Sequence, residues 1–379
     1  MEGYLKTYKI VLETIGPVHI GSGRKIGKKE FIYDPAEKKA YIPNMTKMYD
    51  FFIKHKLTDK FEDYMLNDRR DFLSWLKSNG VTKPYYEKWT DYKIKCDAST
   101  FKNGRKKEIS TFVKDPYGNP YIPGSSLKGA IRTAVLGAFI LGNKNFFADI
   151  ERDVVKAQIR DRKNAFLDET KKLEVKCFNT LKKKDVPTEN AVNDIMSGVI
   201  ISDSKPLSTE DIILCPKVDV NIEGKEKTPG MVRECIKPGT KIEFDMTIDT
   251  SCFKYSGKSI IKFINIFLKS CNDMFYSKFK IAPVYSKGVV YLGGGSGFMS
   301  KTVIHQLLKD NPKRLETVGR FFERTTPNGG MTANGRKKPD HKHSLDARIY
   351  KVSPHTVKMT NCGNKKYHFG ACSITIEEK

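Results

Sequence analysis

The chain has 379 residues, and its 68 Lys and Arg residues against 44 Asp and Glu residues give a formal net charge of +24. Its 39% hydrophobic and 30% charged residues are typical of a globular protein, which excludes a fibrous repeat and argues against a disordered polybasic tail. A positive excess of this size favours a polyanionic partner, either nucleic acid or anionic lipid.

The first predicted strand covers residues 4–15, where apolar and polar residues alternate before Gly16-Pro17. Residues 18–24 predict a glycine-punctuated loop, and basic residues follow it to position 29. Such a loop can bring its backbone close to phosphate groups. The candidate RNA-binding residues here are His19, Gly21, Ser22, Gly23, Arg24, Lys28 and Lys29.

A short repeat follows, because residues 31–44 and 112–124 both predict two strands joined by an Asp-Pro turn, with a helix after each copy. In the second copy Gly124, Ser125 and Ser126 open the helix, and we expect one serine to cap it. Lys128 and Arg132 share one helix face. This start could hold a phosphate, or it could be an ordinary capped helix with a solvated basic edge.

The remaining pattern predicts an alternation of helices and strands. Residues 145–184 have a helical composition with charges on all sides, which indicates an inserted helical lid. The other predicted elements are strands at 198–202, 212–220 and 241–248, a hairpin at 221–229, a helix at 258–275, a strand at 289–292, a helix near 301, a basic loop at 328–343, and strands at 356–359 and 367–376.

With hairpins and insertion set aside, the order is strand, helix, strand, strand, helix, strand. This order predicts an α+β protein with a ferredoxin-like, RRM-like core. We expect the core to span residues 1–300, with insertions at about 30–110 and 143–195. Residues 301–379 would form a smaller C-terminal α+β region, and no role is assigned to residues 310–379.

The glycine run at 293–297 follows a predicted strand and precedes a helix. Backbone N–H groups in such a turn can approach phosphate oxygens. The run nearly matches a nucleotide P-loop, but Ser300 replaces the second glycine. A ligand-free tight turn stays open, and contact with nucleic acid is favoured. The candidates are Gly293, Gly294, Gly295, Ser296, Gly297 and Lys301.

Catalytic and metal signals are weak. His19 could act as a general acid or base, although a lone histidine after a strand is more often structural. His341 and His343 lack a second ligand pair at readable spacing, so neither a metal nor a cofactor is predicted. The eight cysteines form no C-x-x-C pair and are expected to be reduced, mostly buried thiols of a cytoplasmic protein. No apolar run reaches the ~18–20 residues of a membrane helix.

Four motifs in order resemble the repeat-associated mysterious protein (RAMP) superfamily of CRISPR RNA-binding proteins. They are the residues 18–23, the hairpin-helix at 121–132, the segment 233–240 and the late glycine loop. Together with the first hairpin copy and the helical insertion, they look most like the subunit that caps one end of the backbone in type III-A Csm effector complexes.

The resemblance implies a non-catalytic subunit that binds the 3′ portion of CRISPR RNA and is needed for crRNA maturation in antiviral defence. Neighbouring Csm backbone subunits would be partners, and a host nuclease is left open as the source of trimming. Residues 212–233 would form a thumb across the guide, with Lys225, Lys227 and Arg233 as RNA contacts. RNA thereby replaces lipid as the expected partner.

One departure from the family pattern bears on mechanism. Related subunits that cut target RNA carry an Asp where Lys28 stands here, so we expect no target cleavage. The alternative is a metal-independent CRISPR repeat endoribonuclease of the same superfamily, with His19 and Lys128 as acid–base partners.

Overall fold

The computed structural model describes residues 4–96, 100–101, 108–159, 163–228, 230–325, 343–363 and 365–379. The helices in these ranges are α1 Met45–Lys54, α2 Thr58–Asn67, α3 Phe72–Ser78, α4 Lys83–Lys88, α5 Gly124–Gly142, α6 Ala148–Lys156, α7 Leu167–Phe178, α8 Gly257–Met274, α9 Ile304–Leu307, α10 Arg314–Thr325 and α11 His343–Tyr350. The strands are β1 Leu5–Thr14, β2 Gly21–Ile26, β3 Ile32–Asp34, β4 Lys39–Pro43, β5 Thr90–Cys96, β6 Glu108–Phe112, β7 Val199–Ile201, β8 Ile212–Pro216, β9 Val218–Asn221, β10 Glu226–Lys227, β11 Met231–Ile236, β12 Lys241–Asp249, β13 Val289–Tyr291, β14 Thr356–Cys362, β15 Lys365–His368 and β16 Ala371–Glu378.

The first sheet has five antiparallel strands in the order β13-β16-β1-β12-β7. As predicted, β1 buries alternate residues, namely Tyr8, Ile10 and Leu12. The sequence order β1, α5, β7, β12, α8 agrees with the predicted ferredoxin-like core, and the predicted α+β class is confirmed.

The strand next to β1 differs from the expected one. β16 pairs with β1 from Tyr8–Glu378 to Thr14–Cys372, whereas β13, the predicted fourth strand, lies outside β16. β13 has three residues and β16 has eight, so β16 can satisfy far more of the backbone groups of β1. Part of the region beyond residue 300 therefore lies in the first sheet, and the predicted domain boundary stays a prediction.

Helices α5 and α8 pack closely against each other. A Cβ on Gly137 of α5 would lie 2.4 Å from the Phe267 ring of α8, so only glycine permits this approach. The predicted amphipathic helix at 258–275 is confirmed as α8, whose first turn is capped by the Ser256 hydroxyl. Its buried face includes Ile260 and Ile264.

The second sheet has seven strands in the order β2-β6-β11-β8-β5-β4-β3. The prediction of a loop at residues 18–24 is wrong from Gly21 onward, because these residues form β2, the edge strand of this sheet. β2 pairs with β6 through a register shift between Gly21 and Lys25. Gly23, with φ +85°, supplies the backbone conformation that glycine adopts without strain, so the glycines form an irregular edge strand.

The two repeat copies have different structures. The first gives β3, β4 and α1, as predicted. The second lacks the expected second strand, because only a bridge between Lys114 and Pro120 follows β6. Neither Ser125 nor Ser126 caps α5; the Gly124 N–H instead donates to Asp203 Oδ1 at 2.8 Å. A Cβ on Gly124 would lie 2.2 Å from the Ile201 carbonyl oxygen, so close packing against β7 determines this helix start.

The first insertion has its own apolar core. Its helices α1–α4 enclose aromatic side chains that include Phe52, Phe61, Phe72 and Trp75. Edge-on and tilted ring pairs dominate this cluster, for example Phe52 and Trp75 at 5.6 Å. Such contacts add to the stability gained from burial alone.

The third sheet has the order β10-β9-β14-β15. The predicted strand at 212–220 is divided, because β8 belongs to the second sheet and β9 to the third. The predicted hairpin is present as β9 and β10, with Gly224 at φ +86°. β14 pairs along β9 from Thr356–Asn221 to Met359–Val218, so this hairpin is supported by a late strand.

Other predictions concern cysteines, membranes and the basic loop. Six of the eight cysteines are buried, and the other two are partly buried, which confirms the expected burial. Within the described ranges, helices long and apolar enough to cross a bilayer are absent. Most of the basic loop predicted at 328–343 lies outside the described residues, including His341; His343 begins α11.

Candidate nucleic-acid interface

His19 connects the first strand to the late glycine loop. Its Nδ1–H donates to the Glu234 carbonyl oxygen at 2.7 Å, and its own carbonyl oxygen accepts a 2.7 Å hydrogen bond from the Gly294 N–H. Burial is the main cause that lowers the pKa of His19 to about 4, and the charges of Arg233 and Lys301 contribute. The imidazole is therefore neutral at pH 7 and experiences a positive field.

The late glycine loop requires glycine at specific positions. Gly293 and Gly295 have φ values of +69° and +95°, which disfavour residues with a side chain. A Cβ on Gly293 would lie 2.1 Å from the His19 carbonyl oxygen, and one on Gly295 would lie 2.8 Å from Arg233 Nη1. The loop thus lies directly against His19 and Arg233.

The two serines of this segment support the turn. The buried Ser296 hydroxyl donates to the Gly293 carbonyl oxygen at 3.1 Å, and the buried Ser300 hydroxyl donates to the Ser296 carbonyl oxygen at 3.1 Å. In a P-loop the residue at position 300 would be glycine. Its buried hydroxyl is used here to fix the turn, which agrees with the preference against a nucleotide site.

Two cations, Arg233 and Lys301, lie beside the glycine loop. Arg233, on β11, packs its guanidinium over the Phe369 ring at 5.5 Å, and burial lowers its pKa. Lys301 is exposed, and desolvation by the surrounding chain, then the charge of Arg233, lower its pKa. Within the described ranges no carboxylate is within ion-pair distance of either group, and Arg233 Nη1 is buried without a hydrogen-bond partner. An anion bound here would relieve their mutual repulsion.

Strand β2 adds an exposed edge to this surface. Gly21, Ser22, Gly23, Arg24 and Lys28 are all exposed. The Ser22 hydroxyl shares a 2.5 Å hydrogen bond with Thr111 Oγ1 on the neighbouring strand β6. This edge offers a hydroxyl, backbone groups and two cations to a ligand.

Lys29 occupies a different environment from Lys28. Its ammonium group donates to the carbonyl oxygens of Tyr64 and Met65 at 2.7 and 2.9 Å, near the C-terminal end of α2. Cations are stabilised at this end of a helix. Lys29 therefore joins the first insertion to the second sheet.

The start of α5 is less accessible than its sequence indicates. Gly124 is buried, Ser125 is exposed, and Ser126 is partly buried. Arg132 forms ion pairs with Asp194 at 2.6 Å and Glu174 at 3.1 Å, and its guanidinium lies 4.0 Å from the Phe178 ring centroid. The charge of Arg132 is thus compensated within the protein. Its expected role as a phosphate contact remains a prediction, and such a contact would compete with these two ion pairs.

Within the described residues, no hydrogen bond joins the two members of the predicted acid–base pair, His19 and Lys128. The charges that act on Lys128 are those of Asp194 and Arg132, and burial is the main cause that lowers its pKa. The charges that act on His19 are instead those of Arg233 and Lys301. General acid–base catalysis requires groups that reach the same reacting atoms.

The predicted thumb and the glycine loop border one cleft of about 590 Å³. Lys225 and Lys227 come from the β9–β10 hairpin, Ser296 and Gly297 from the loop, and Lys358 from β14. Lys225 pairs with Glu223 at 3.0 Å, whereas Lys227 is exposed. The structure therefore brings together groups more than 60 residues apart in sequence.

Sequence reasoning missed Lys358 and Phe369. Lys358 pairs with Asp219 Oδ1 at 2.9 Å, and burial is the main cause that lowers its pKa. The only available signal was the predicted strand at 356–359, which alone does not indicate its partner. Both residues join the site because β14 pairs with β9 and β16 enters the first sheet.

Comparisons with known proteins agree with this architecture. A family model described as the RAMP superfamily matches residues 11–296. The CRISPR system Cms protein Csm5 of Streptococcus thermophilus is 31% identical over 331 residues, covering 84% of this chain and 86% of that protein. The protein of the same name from Mycobacterium tuberculosis is 28% identical over 402 residues, covering 99% of each.

Two solved structures share the fold. The crystal structure of T. onnurineus Csm5 has a TM-score of 0.59 and 20% identity, covering 81% of this chain and 96% of that one. A chain in the cryo-EM structure of a type III-A Csm-crRNA-target RNA ternary complex has a TM-score of 0.62 and 17% identity, covering 98% and 100%. From the family match and the 31% identical relative, the chain belongs to the RAMP superfamily, with Csm5 proteins as its relatives.

Proposed function

We propose that this protein is a non-catalytic subunit of a cytoplasmic type III-A Csm ribonucleoprotein. It binds the 3′ portion of CRISPR RNA, caps the backbone there, and is needed for crRNA maturation in antiviral defence. The relatives named Csm5 and a structural neighbour within a Csm-crRNA-target RNA complex support this proposal. Neighbouring Csm subunits are its protein partners, and a host nuclease is the proposed source of trimming.

The observation that carries the RNA assignment is the pair of cations beside the glycine loop, Arg233 and Lys301, neither of which forms an ion pair within the described part of the chain. The charge of Arg233 adds to desolvation in lowering the pKa of Lys301, which shows that the two cations lie close enough to repel each other. The exposed edge of β2, with its backbone groups and Arg24, begins two residues after His19, whose carbonyl oxygen is bonded to the glycine loop. A phosphodiester backbone matches this mixture of cations and backbone donors.

The geometry around His19 supports binding over catalysis. A pKa of about 4 leaves the imidazole without a proton to donate from Nε2 at pH 7. Its Nδ1–H is used by Glu234. An efficient acid–base catalyst has a pKa near the working pH, and Lys128 lies in a different electrostatic environment.

The experiment is purification of the tagged Csm complex with charge-reversed variants. Lys301→Glu, or Arg24→Glu combined with Lys28→Glu, should deplete or shorten the bound guide. Lys47→Glu, an exposed change on α1, is the matched control and should leave guide content and length unchanged. Binding should also weaken by roughly 0.7 log units per log unit of salt for each single-strand phosphate contact. Unchanged guide in both variants would contradict the proposal.

A second experiment separates binding from repeat cleavage. The purified protein is incubated with repeat RNA in EDTA, and the products are resolved by length. We expect intact RNA. A discrete product that disappears in His19→Ala would support the endoribonuclease alternative.

A further inference from the structure

Three side chains with metal-ligating atoms meet beside the cleft. His343 and Asp346 are three residues apart on α11 and share a helix face, while His355 immediately precedes β14. One ligand atom from each lies within 4.8 Å of the other two. The His343 and His355 rings are stacked with centroids 5.0 Å apart.

The distances suit a small transition-metal ion. Zn²⁺ binds His nitrogen and carboxylate oxygen at about 2.0–2.2 Å, which places tetrahedral ligands roughly 3.3–3.5 Å apart. His355 Nδ1 and Asp346 Oδ2 are already 3.3 Å apart. The third ligand atom lies within 4.8 Å, so a small side-chain adjustment completes the set.

The donor types also select the metal. Two imidazoles and one carboxylate suit Zn²⁺ and similar transition metals, whereas Mg²⁺ prefers a near-octahedral shell of oxygen ligands. We propose that His343, Asp346 and His355 bind one Zn²⁺-class ion. Three protein ligands leave a fourth position for water, and His343 and His355 both line the cleft.

The ion would fasten the last described helix to the third sheet. His343 and Asp346 come from α11, and His355 leads into the strand that carries Lys358. The sequence motif around His341 and His343 gave no second ligand pair. The fold supplies it from Asp346, one turn along α11, and from His355, twelve residues beyond His343. This proposal does not depend on RNA binding.

The test is titration of the full-length, untagged protein with ZnCl₂ and with CoCl₂ after EDTA treatment and desalting. We expect one ion per chain and the visible absorption of four-coordinate Co²⁺. His355→Gln and Asp346→Asn should each weaken binding at least about tenfold. His55→Gln, which removes an exposed histidine after α1, should retain the affinity of the unchanged protein.

Two further measurements make the result decisive. Circular dichroism of each metal-free variant checks its fold, and Asp346→Asn, at a partly buried position, provides a ligand change independent of the histidines. Excess Mg²⁺ should not displace Co²⁺. The proposal is overturned if the unchanged protein shows no saturable binding, if both ligand variants bind as tightly as it does, or if His55→Gln alone abolishes binding.

Discussion

The Gly294 N–H donates to the His19 carbonyl oxygen at 2.7 Å, joining two loops that are 275 residues apart in sequence. This contact aligns the beginning of β2 with the turn that follows β13. The same turn packs against Arg233, because a Cβ on Gly295 would lie 2.8 Å from Arg233 Nη1, so the junction determines where this cation lies relative to the glycine loop.

The first prediction concerns Gly293. Gly293→Ala should lower the free energy of unfolding by about 1–3 kcal/mol, because it combines positive φ with a clash against the His19 carbonyl. Gly129→Ala is the control, because a Cβ there meets open space in α5. This substitution should raise the free energy of unfolding by up to about 1 kcal/mol. Urea unfolding measures both. Equal stability of the two variants would show that the loop contact carries no strain.

The second prediction concerns pH and His19. The folded pKa of His19, about 4, lies below its unfolded value near 6.5. The contribution of the neutral, buried imidazole to the free energy of unfolding is therefore complete above about pH 6.5 and is lost as the pH falls towards 4. At pH 5 the loss from His19 is about 2 kcal/mol. Urea unfolding should show that the free energy of unfolding of His19→Asn falls correspondingly less between pH 7 and pH 5. The buried His305 and His368, whose pKa values are also about 4, contribute equally to both proteins.

The third prediction concerns Glu234, which is fully buried. Its carboxylate accepts hydrogen bonds from the Tyr92 hydroxyl at 2.6 Å and the Phe112 N–H at 2.8 Å, and it lies 3.4 Å from Lys114 Nζ. Glu234→Ala should cost about 3–5 kcal/mol, because it leaves Lys114 without its anion. In a Lys114→Met background the same change should cost less. Additive effects in this double-mutant cycle would disprove the coupling.

The fourth prediction separates Arg132 from Lys128. Arg132→Ala should reduce the free energy of unfolding by about 1.5–3 kcal/mol, because two charged hydrogen bonds are lost. Lys128→Ala should have a small effect on stability and should weaken guide RNA binding. Thermal unfolding and RNA titration on the same samples provide the comparison. A reversed pattern would assign Arg132 to the RNA contact.

The fifth prediction is that this subunit does not cut target RNA. Lys28 is exposed where cutting relatives are expected to carry an Asp, and the Glu30 carboxylate accepts a 2.6 Å hydrogen bond from the Gly27 N–H. A cation cannot coordinate the metal that such cleavage uses. Guide-paired RNA with Mg²⁺ should therefore stay intact, as gel analysis would show. Cleavage that is lost in Glu30→Ala would refute this prediction.

Local patterns predicted most individual elements. The alternation in β1, the apolar spacing in α8 and the strand–turn–strand of the first hairpin each determine their own structure within a few residues. The ferredoxin-like order follows from them. The start of α5 was predicted less well, because the Asp203 carboxylate that receives its first N–H is 79 residues away.

Sequence reasoning also located the glycine loop but could not identify all its neighbours. Lys358 and Phe369 reach the site through pairing of late strands, and such long-range pairing has no local signal. Arg132 shows the converse case. Its helical spacing from Lys128 predicted a shared basic face, whereas carboxylates on other segments compensate its charge.

The position of β16 also affects how the protein is made. β1 lies between β12 and β16, so one edge of the earliest strand stays open during synthesis until residues 371–378 have emerged from the ribosome. Contacts between such distant segments form slowly because a long loop must close. A nascent chain would therefore present an unpaired strand edge, which chaperones or sister chains can bind. Completion of the first sheet therefore depends on pairing between strands that lie more than 350 residues apart in the sequence.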